Sequence, residues 1–433
     1  MPSDVSVVIL AAGKGTRMRS PLPKVLHPLC GRPLVAWVVD QALALDPARV
    51  VLVVGHGAEA VEAAVRPQVE GAGGVEFTAV RQEPQNGTGH ALQVCIPALA
   101  GAGRVVVLYG DMPLMRPTSL TALLEAQSQV GAGGAALLTA WPDEARGFGR
   151  ILRDGDEDFV GIVEQKDCSE EELAIGEVNL GVYAFPGAAL LDALPRLSND
   201  NAQGEYYLTD VLGMLVAAEN PVATVELEDA DEGLGINTIE QLSDARWALQ
   251  MRIHEEHMAN GVYIEDPSST YIDHGVTIGT GTHVLPCTVI RSGVTIGEGC
   301  EVGPFTHLRV GTVLKNGAEV GNFTECKQST VGEGSKAKHL SYLGDAQIGA
   351  RTNIGAGTIF ANYDGVHKHK TTVGDGAFVG SGTILVGPNN IPDGATTGAG
   401  AVVTRSADVG PNETWVGMPA RRHQKKSAPE GAE

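Results

Sequence analysis

The sequence predicts an α/β chain in two parts: an open Rossmann-like domain, then a linker helix and a triangular parallel β-helix. Three observations carry that expectation. Strand and helix signals alternate through the first half, apolar residues recur on every sixth position through much of the second, and most glycines lie in that second half. With 433 residues the chain is too long for one ordinary core, so two domains are the expected minimum. Its 56 glycines are about twice average usage, which suits a turn-rich repeat.

In the first half, residues 5–10 form an apolar run broken only by Ser6, as a strand buried on both faces should. A loop bearing Gly13 and Gly15 follows, then a helical stretch over 34–43. Further strands are expected at 50–54, 75–80 and 105–109, with a helix over 88–99 before the last of them. Such an open sheet holds its ligands at the carboxyl ends of its strands.

The pattern changes near Asn237. Thr238 with Gln241 three residues on makes a capping box, and Ile239, Leu242, Leu249 and Ile253 follow at helical spacing. Gly261 suits the position just past that helix. We therefore read residues 1–237 as the first domain and 238–262 as the linker helix. Within that helix His254 and His257 miss the H-E-x-x-H zinc spacing and are expected to be exposed.

The repeat then begins. Ile272, Ile278, Val284, Ile290, Ile296, Val302, Leu308, Leu314 and Val320 fall on every sixth residue without a miss. The register resumes at Val331, Ala337 and Leu343, slips by one to Ile348 and Ile354, and returns at Val373, Val379, Leu385 and Ile391. Period six fits a triangular coil in which each apolar residue points inward and small residues turn each corner. The repeat domain is expected over 263–405, with 406–433 as a C-terminal tail. One polar interruption, residues 361–370 (ANYDGVHKHK), is thrown out of the solenoid, which points to a functional purpose.

A formal charge of −21 argues against nucleic acid or an anionic membrane as partner. The six cysteines show no C-x-x-C spacing, which fits reduced thiols better than disulfides or zinc. With no signal-peptide pattern and no membrane-length apolar run, the expected compartment is the cytoplasm.

The run Leu10-Ala11-Ala12-Gly13-Lys14-Gly15-Thr16-Arg17-Met18, with Pro23-Lys24 downstream, resembles the signature of nucleoside-diphosphate-sugar pyrophosphorylases. It is neither a Walker A motif nor a full G-x-G-x-x-G. Glycines after a strand let backbone N–H groups approach a triphosphate, and Lys24 is placed to stabilise charge on the α-phosphate and leaving pyrophosphate. Over nearly the whole chain the resemblance is to the bifunctional family of N-acetylglucosamine-1-phosphate uridylyltransferases and glucosamine-1-phosphate N-acetyltransferases. By that resemblance Gln82, Gly87 and Thr88 contact uracil, and Asp111 of Tyr109-Gly110-Asp111 binds Mg²⁺ together with Asn237. Two protein oxygens are adequate for magnesium, which completes its shell with phosphates and water. Gly149, Glu164 and Asn179 match sugar-contacting positions. The stretch Asn201–Asp210 also resembles the family but suggests no chemistry of its own, its Tyr206-Tyr207 pair being as suited to a core.

In the repeat, the resemblance makes Arg309, Lys327 and Tyr342 ligands for glucosamine-1-phosphate. His339 is then the general base that takes the amine proton as nitrogen attacks the thioester. Glu325 is the family's candidate for orienting it. Asn353, Asn362 and Tyr363 match further substrate contacts, and Ala356, Ser381 and Ala399 match acetyl-CoA contacts. The family implies a left-handed β-helix, a homotrimer with shared acetyl sites, and UDP-N-acetylglucosamine for peptidoglycan and lipopolysaccharide precursors. Two departures stand out. Gly417 replaces an arginine that many relatives use for CoA, and the solenoid before Arg309 is shorter by about two coils. Arg421, Arg422, Lys425 and Lys426 make a basic tail best read as solubilising.

The expected function is thus acetyl transfer from acetyl-CoA to glucosamine-1-phosphate, then uridylyl transfer from UTP to N-acetylglucosamine-1-phosphate. The alternatives are a monofunctional nucleotidyltransferase with a structural or regulatory β-helix, and a non-catalytic relative. Intact His339 and Lys327 disfavour the first of these; intact Lys24, Asp111 and Asn237 disfavour the second.

Overall fold

The computed structural model describes residues 4–145 and 147–423 of the chain. They fall into two compact units, Met1–Trp247 and Ala248–Glu433.

In the first unit the sheet runs Val222–Glu226, Ala135–Ala140, Val178–Pro186, Arg104–Tyr109, Val5–Ala11, Arg49–Val54, Glu76–Arg81. Val5–Ala11 is parallel to both neighbours, whereas Val178–Pro186 is antiparallel to both of its own, so the sheet is mixed. Alternation along Val5–Ala11 sends Val7 and Ile9 into one apolar layer and Val8 into the other. The first layer is covered by helices Leu34–Leu43, Ala58–Ala72 and Pro117–Gln129; the second by Thr88–Gln93 and Thr209–Ala217. Each fully buried Val, Leu or Ile contributes about 1.5–3 kcal/mol. The helix expected over 88–99 is broken: it ends at Gln93 and resumes as a 3₁₀ turn, Ile96–Leu99. Pro97 has no N–H to continue the ladder.

The helix Ile239–Ala259 starts as the capping box requires: Gln241 N donates to Thr238 Oγ1 at 3.2 Å, and Thr238 N to Gln241 Oε1 at 3.2 Å. Gly261 closes it at φ 81°. His254 does not match the exposed reading. It is fully buried, neither ring nitrogen has a hydrogen-bond partner, and burial holds its pKa down at about 4. His257 is half-buried, and burial lowers its pKa too. The pattern of apolar neighbours hid this, because an imidazole at an inward position looks like a break in the stripe.

The second unit is a left-handed parallel β-helix of three stacked sheets with 10, 8 and 7 strands. Every position of the six-residue register is buried, from Ile272 through Ile391. Cys326, six residues after Val320, fills the next inward slot and is also fully buried. Buried Ser and Thr return their hydroxyls to nearby carbonyls, as Thr324 Oγ1 does to Gly321 O at 2.6 Å. Those bonds satisfy polar groups that the coil encloses. One corner repeats a positive φ in successive coils: Cys287, Phe305, Phe323 and Leu340, then Gly357, Gly382 and Gly400. The 406–433 tail is corrected in part. Thr414–Val416 pairs in parallel with Thr396–Thr397, and Arg421–Arg422 folds back on it, so stacking continues past 405. Lys425 and Lys426 lie outside the described residues.

Candidate functional site

In the first unit a cavity of about 360 Å³ opens at the carboxyl ends of the central strands, where the sheet order predicts a ligand. Leu10, Ala11, Ala12 and Gly13 leave the strand Val5–Ala11 to form one wall; Tyr109 and Asp111 close Arg104–Tyr109; Gln82, Gly87 and Thr88 make the opposite side. Gly110 lies between Tyr109 and Asp111, its N–H held by Leu10 O at 2.9 Å.

Lys24 reaches this cavity because its loop is packed tightly. Gly15 sits at φ 59°, and a Cβ there would stand 2.5 Å from Lys24 Cβ. The ammonium bonds Asp111 Oδ2 and, at 2.9 Å, Asn237 Oδ1. Asn237 is brought there by two contacts: Ile236 N donates to Asp111 O at 2.9 Å, and Asn237 N donates to Gln241 Oε1 at 2.8 Å. The capping box thus also fixes a residue of the site. Two hard oxygens already converge on one positive centre, the donor chemistry that a magnesium ion takes. Among the described residues no cluster of three or more His, Cys, Asp or Glu could hold a metal, so a zinc-type cage is not what the site offers.

A second cavity, of about 220 Å³, shares Thr88, Tyr109 and Glu205 with the first and is lined by Gly149, Glu164 and Asn179. A Cβ on Gly149 would lie 2.9 Å from Ile162 Cγ2. Asn179 is locked, donating to Tyr183 Oη at 2.8 Å and accepting from Gly181 N at 2.9 Å. Burial raises the Glu164 pKa, against a hydrogen bond from Thr209 Oγ1 at 3.3 Å. Gln203, Glu205, Tyr207 and Thr209 line this cavity as well, so the stretch given no chemistry supplies part of its wall. Tyr207 is mostly buried, yet its hydroxyl accepts from Gln203 Nε2 at 2.8 Å. A third cavity, of about 800 Å³, continues from Gln82 and Gln85 past Lys14, His56 and Arg81.

In the second unit the expected acetyl-site residues form two groups. His339, Ala356, Ser381 and Ala399 stack at one corner, one per coil: Gly357 N donates to His339 O at 3.3 Å, Gly382 N to Ala356 O at 2.7 Å, and Gly400 N to Ser381 O at 2.8 Å. Arg309 and Lys327 belong to the cationic group. The ammonium of Lys368, on the extruded loop, holds the Lys327 pKa below the usual lysine range, and Arg309 adds to that effect. Asn362 Nδ2 donates to Asp345, and exposed Tyr363 donates to Gly365 O at 2.6 Å. Asp364 gathers the loop, accepting from His367 N at 2.7 Å, Val366 N at 2.9 Å and His369 Nε2 at 2.6 Å. Tyr342 lies on the strand Tyr342–Gly344, and Asn353 on Asn353–Ile354 of a different sheet. Glu325, expected beside His339, has its Oε1 accepting from Arg309 Nη1 at 2.6 Å. Spacing along a strand could not reveal which neighbour that carboxylate faces. Gly417 sits at φ 91°, where a side chain is strained, so a Gly417→Arg change disturbs its turn.

Residues 7–212 match a family described as MobA-like NTP transferase domain. Over nearly its full length the chain resembles proteins named bifunctional protein GlmU. That of Bordetella parapertussis is 44% identical over 444 residues, covering 94% of this chain and 95% of its own. That of Pelobacter propionicus is 43% identical over 442 residues, with 94% and 95% covered. The Brevibacillus brevis protein is 42% identical over 437 residues, with 93% of each covered.

Proposed function

Because this chain belongs to the GlmU family of bifunctional proteins, we propose how its residues divide the synthesis of UDP-N-acetylglucosamine. The observation that carries the assignment is the meeting of Lys24, Asp111 and Asn237 at the cavity walled by residues 10–13.

Acetyl transfer comes first. His339 takes a proton from the amine of glucosamine-1-phosphate as nitrogen attacks the thioester carbon of acetyl-CoA; the C–N bond forms, the C–S bond breaks, and CoA leaves as its thiol. Arg309 and Lys327 hold the sugar phosphate. Ala356, Ser381 and Ala399 flank acetyl-CoA along the corner that carries His339. The acetyl sites are completed between subunits of a homotrimer, which accords with their residues being spread over open faces of one chain.

Uridylyl transfer follows. Gln82, Gly87 and Thr88 hold the uracil of UTP, while Gly149, Glu164 and Asn179 hold N-acetylglucosamine-1-phosphate in the adjoining cavity. A phosphate oxygen of the sugar attacks the α-phosphorus, and the bond to the pyrophosphate breaks. Lys24 offsets the charge that builds on the α-phosphate. Asp111 and Asn237 would hold Mg²⁺, which supplies positive charge for the phosphates when bound.

The test is to give the purified protein each substrate pair separately. Acetyl-CoA with glucosamine-1-phosphate should yield free CoA thiol, and UTP with N-acetylglucosamine-1-phosphate should yield pyrophosphate. Absence of one product removes that half of the assignment.

A further inference from the structure

Gln82 follows the strand Glu76–Arg81 and is 6% exposed, its own N–H held by Val54 O at 2.9 Å. Its side-chain nitrogen Nε2 donates to Gly87 O at 2.9 Å and lies 3.3 Å from His90 Nδ1. An amide can be turned end for end, so its orientation has to be read from its partners. Here the reading is unambiguous, since a backbone carbonyl only accepts. The atom facing Gly87 O is therefore the NH₂, and the same NH₂ meets His90 Nδ1. That nitrogen must then be the acceptor, which places the neutral imidazole's proton on Nε2.

We infer that His90 is a positioning residue that pins the Gln82 amide, turning Oε1 toward the nucleotide as an acceptor and so selecting a base with a ring N–H. Oε1 has no protein partner among the described residues, and Gln82 lines the nucleotide cavity beside Gly87 and Thr88. Uracil presents N3–H, a donor, to such an acceptor. Cytosine presents an unprotonated N3, and two acceptors then face each other with neither satisfied. Loss of the His90 acceptor leaves the amide held at Gly87 alone, so turning its NH₂ toward the base then breaks one hydrogen bond instead of two. That rotation suits cytosine and weakens uracil. His90 sits on the helix Thr88–Gln93, with its ring 6.3 Å from that of Tyr206, and is not among the residues lining the nucleotide cavity, so it acts through Gln82.

The inference rests on the nucleotidyltransferase reading, and one experiment separates them. Nucleotidyl transfer to N-acetylglucosamine-1-phosphate is measured with UTP and with CTP for the wild type, His90→Phe and His90→Asn. Phenylalanine keeps a ring beside Tyr206 but has no acceptor; asparagine places Oδ1 close to where Nδ1 stood. His90→Phe should lower the UTP-over-CTP preference about tenfold, the worth of one hydrogen bond, mostly through KM for UTP. His90→Asn should restore the preference. His90→Leu, which also lacks an acceptor, gives the same readout should the Phe variant not fold. An unchanged preference in the Phe or Leu variant, or an equal loss in the Asn variant, overturns the pin. A wild type that transfers neither nucleotide overturns the nucleotidyltransferase reading, and the pin with it.

Discussion

The same kind of ion pair appears in both units and means different things. In the first, Lys24 and Asp111 meet with side chains only 12% and 14% exposed. In the solenoid, Arg309 and Glu325 meet with side chains 41% and 38% exposed. A pair withdrawn from water interacts more strongly and leaves a strained partner when broken, whereas an exposed pair contributes about 0–1 kcal/mol. The sheet encloses its chemistry by ending several strands at one point. The solenoid sets the residues expected of its site along a surface, one per coil at the corner of His339, Ala356, Ser381 and Ala399. Enclosure concentrates function in few side chains; display spreads it over many.

The comparison breaks most visibly at Lys24. Lys24→Ala should cut uridylyl transfer by about a hundredfold to a thousandfold, as removal of a transition-state donor does. Acetyl transfer by the same variant should stay at the wild-type rate. Parallel assays of both half-reactions check this, and a comparable fall in both contradicts it.

A smaller effect separates burial from function within the solenoid unit. His254 is as enclosed as any group of the first unit, yet it bonds to nothing in either ring position. Its pKa is held at about 4 against an ordinary 6.5. As pH falls through that window the unfolded chain takes up a proton that the folded chain refuses, so stability is lost. His254→Leu should remove that loss, on the order of 3 kcal/mol, while leaving both activities unchanged. Denaturant midpoints across the acid range would show the flatter profile; a profile parallel to wild type contradicts it.

The smallest effect belongs to the extruded loop. Asp364 is held below the usual carboxylate range by the His367 amide, the His369 ring and the Val366 amide. Since its folded pKa is depressed, the loop's order is complete above the ordinary carboxylate range and is lost as pH falls through the folded value. Asp364→Asn should loosen the loop throughout the neutral range and raise KM for glucosamine-1-phosphate with little change in kcat. Protease cleavage within 362–370, compared between variant and wild type, reads the loop directly; equal cleavage rates contradict the role.

Legibility follows the same division. The solenoid's interior was readable because one inward residue in six imposes a period on the letters, and every position from Ile272 to Ile391 is where that period puts it. Its two five-residue steps, Cys326 to Val331 and Leu343 to Ile348, follow because sequence counting tolerates a missing corner residue as the coil does. The capping box at Thr238 was readable for a similar reason, being a local arrangement. What faces outward was not. Glu325 bonds Arg309, and Lys368 comes back beside Lys327, through contacts between coils that no period encodes. In the first unit Lys24 and Asp111 belong to motifs far apart in sequence, whereas Gln203, Glu205 and Tyr207, which line the second cavity, belong to a stretch that suggests no chemistry by itself. Their stretch has no regular spacing, and only the folded loop shows which side chains reach the cavity.

The central claim, two sites that work independently, is tested most directly by mixing two defective proteins. Asp111→Ala and His339→Ala are purified separately and supplied with glucosamine-1-phosphate, acetyl-CoA and UTP. Each alone should make no UDP-N-acetylglucosamine, and the mixture should make it, because the acetylated sugar phosphate leaves one protein and is used by the other. A mixture that stays inactive while both proteins are folded, or an Asp111→Ala protein that no longer acetylates, would contradict the account.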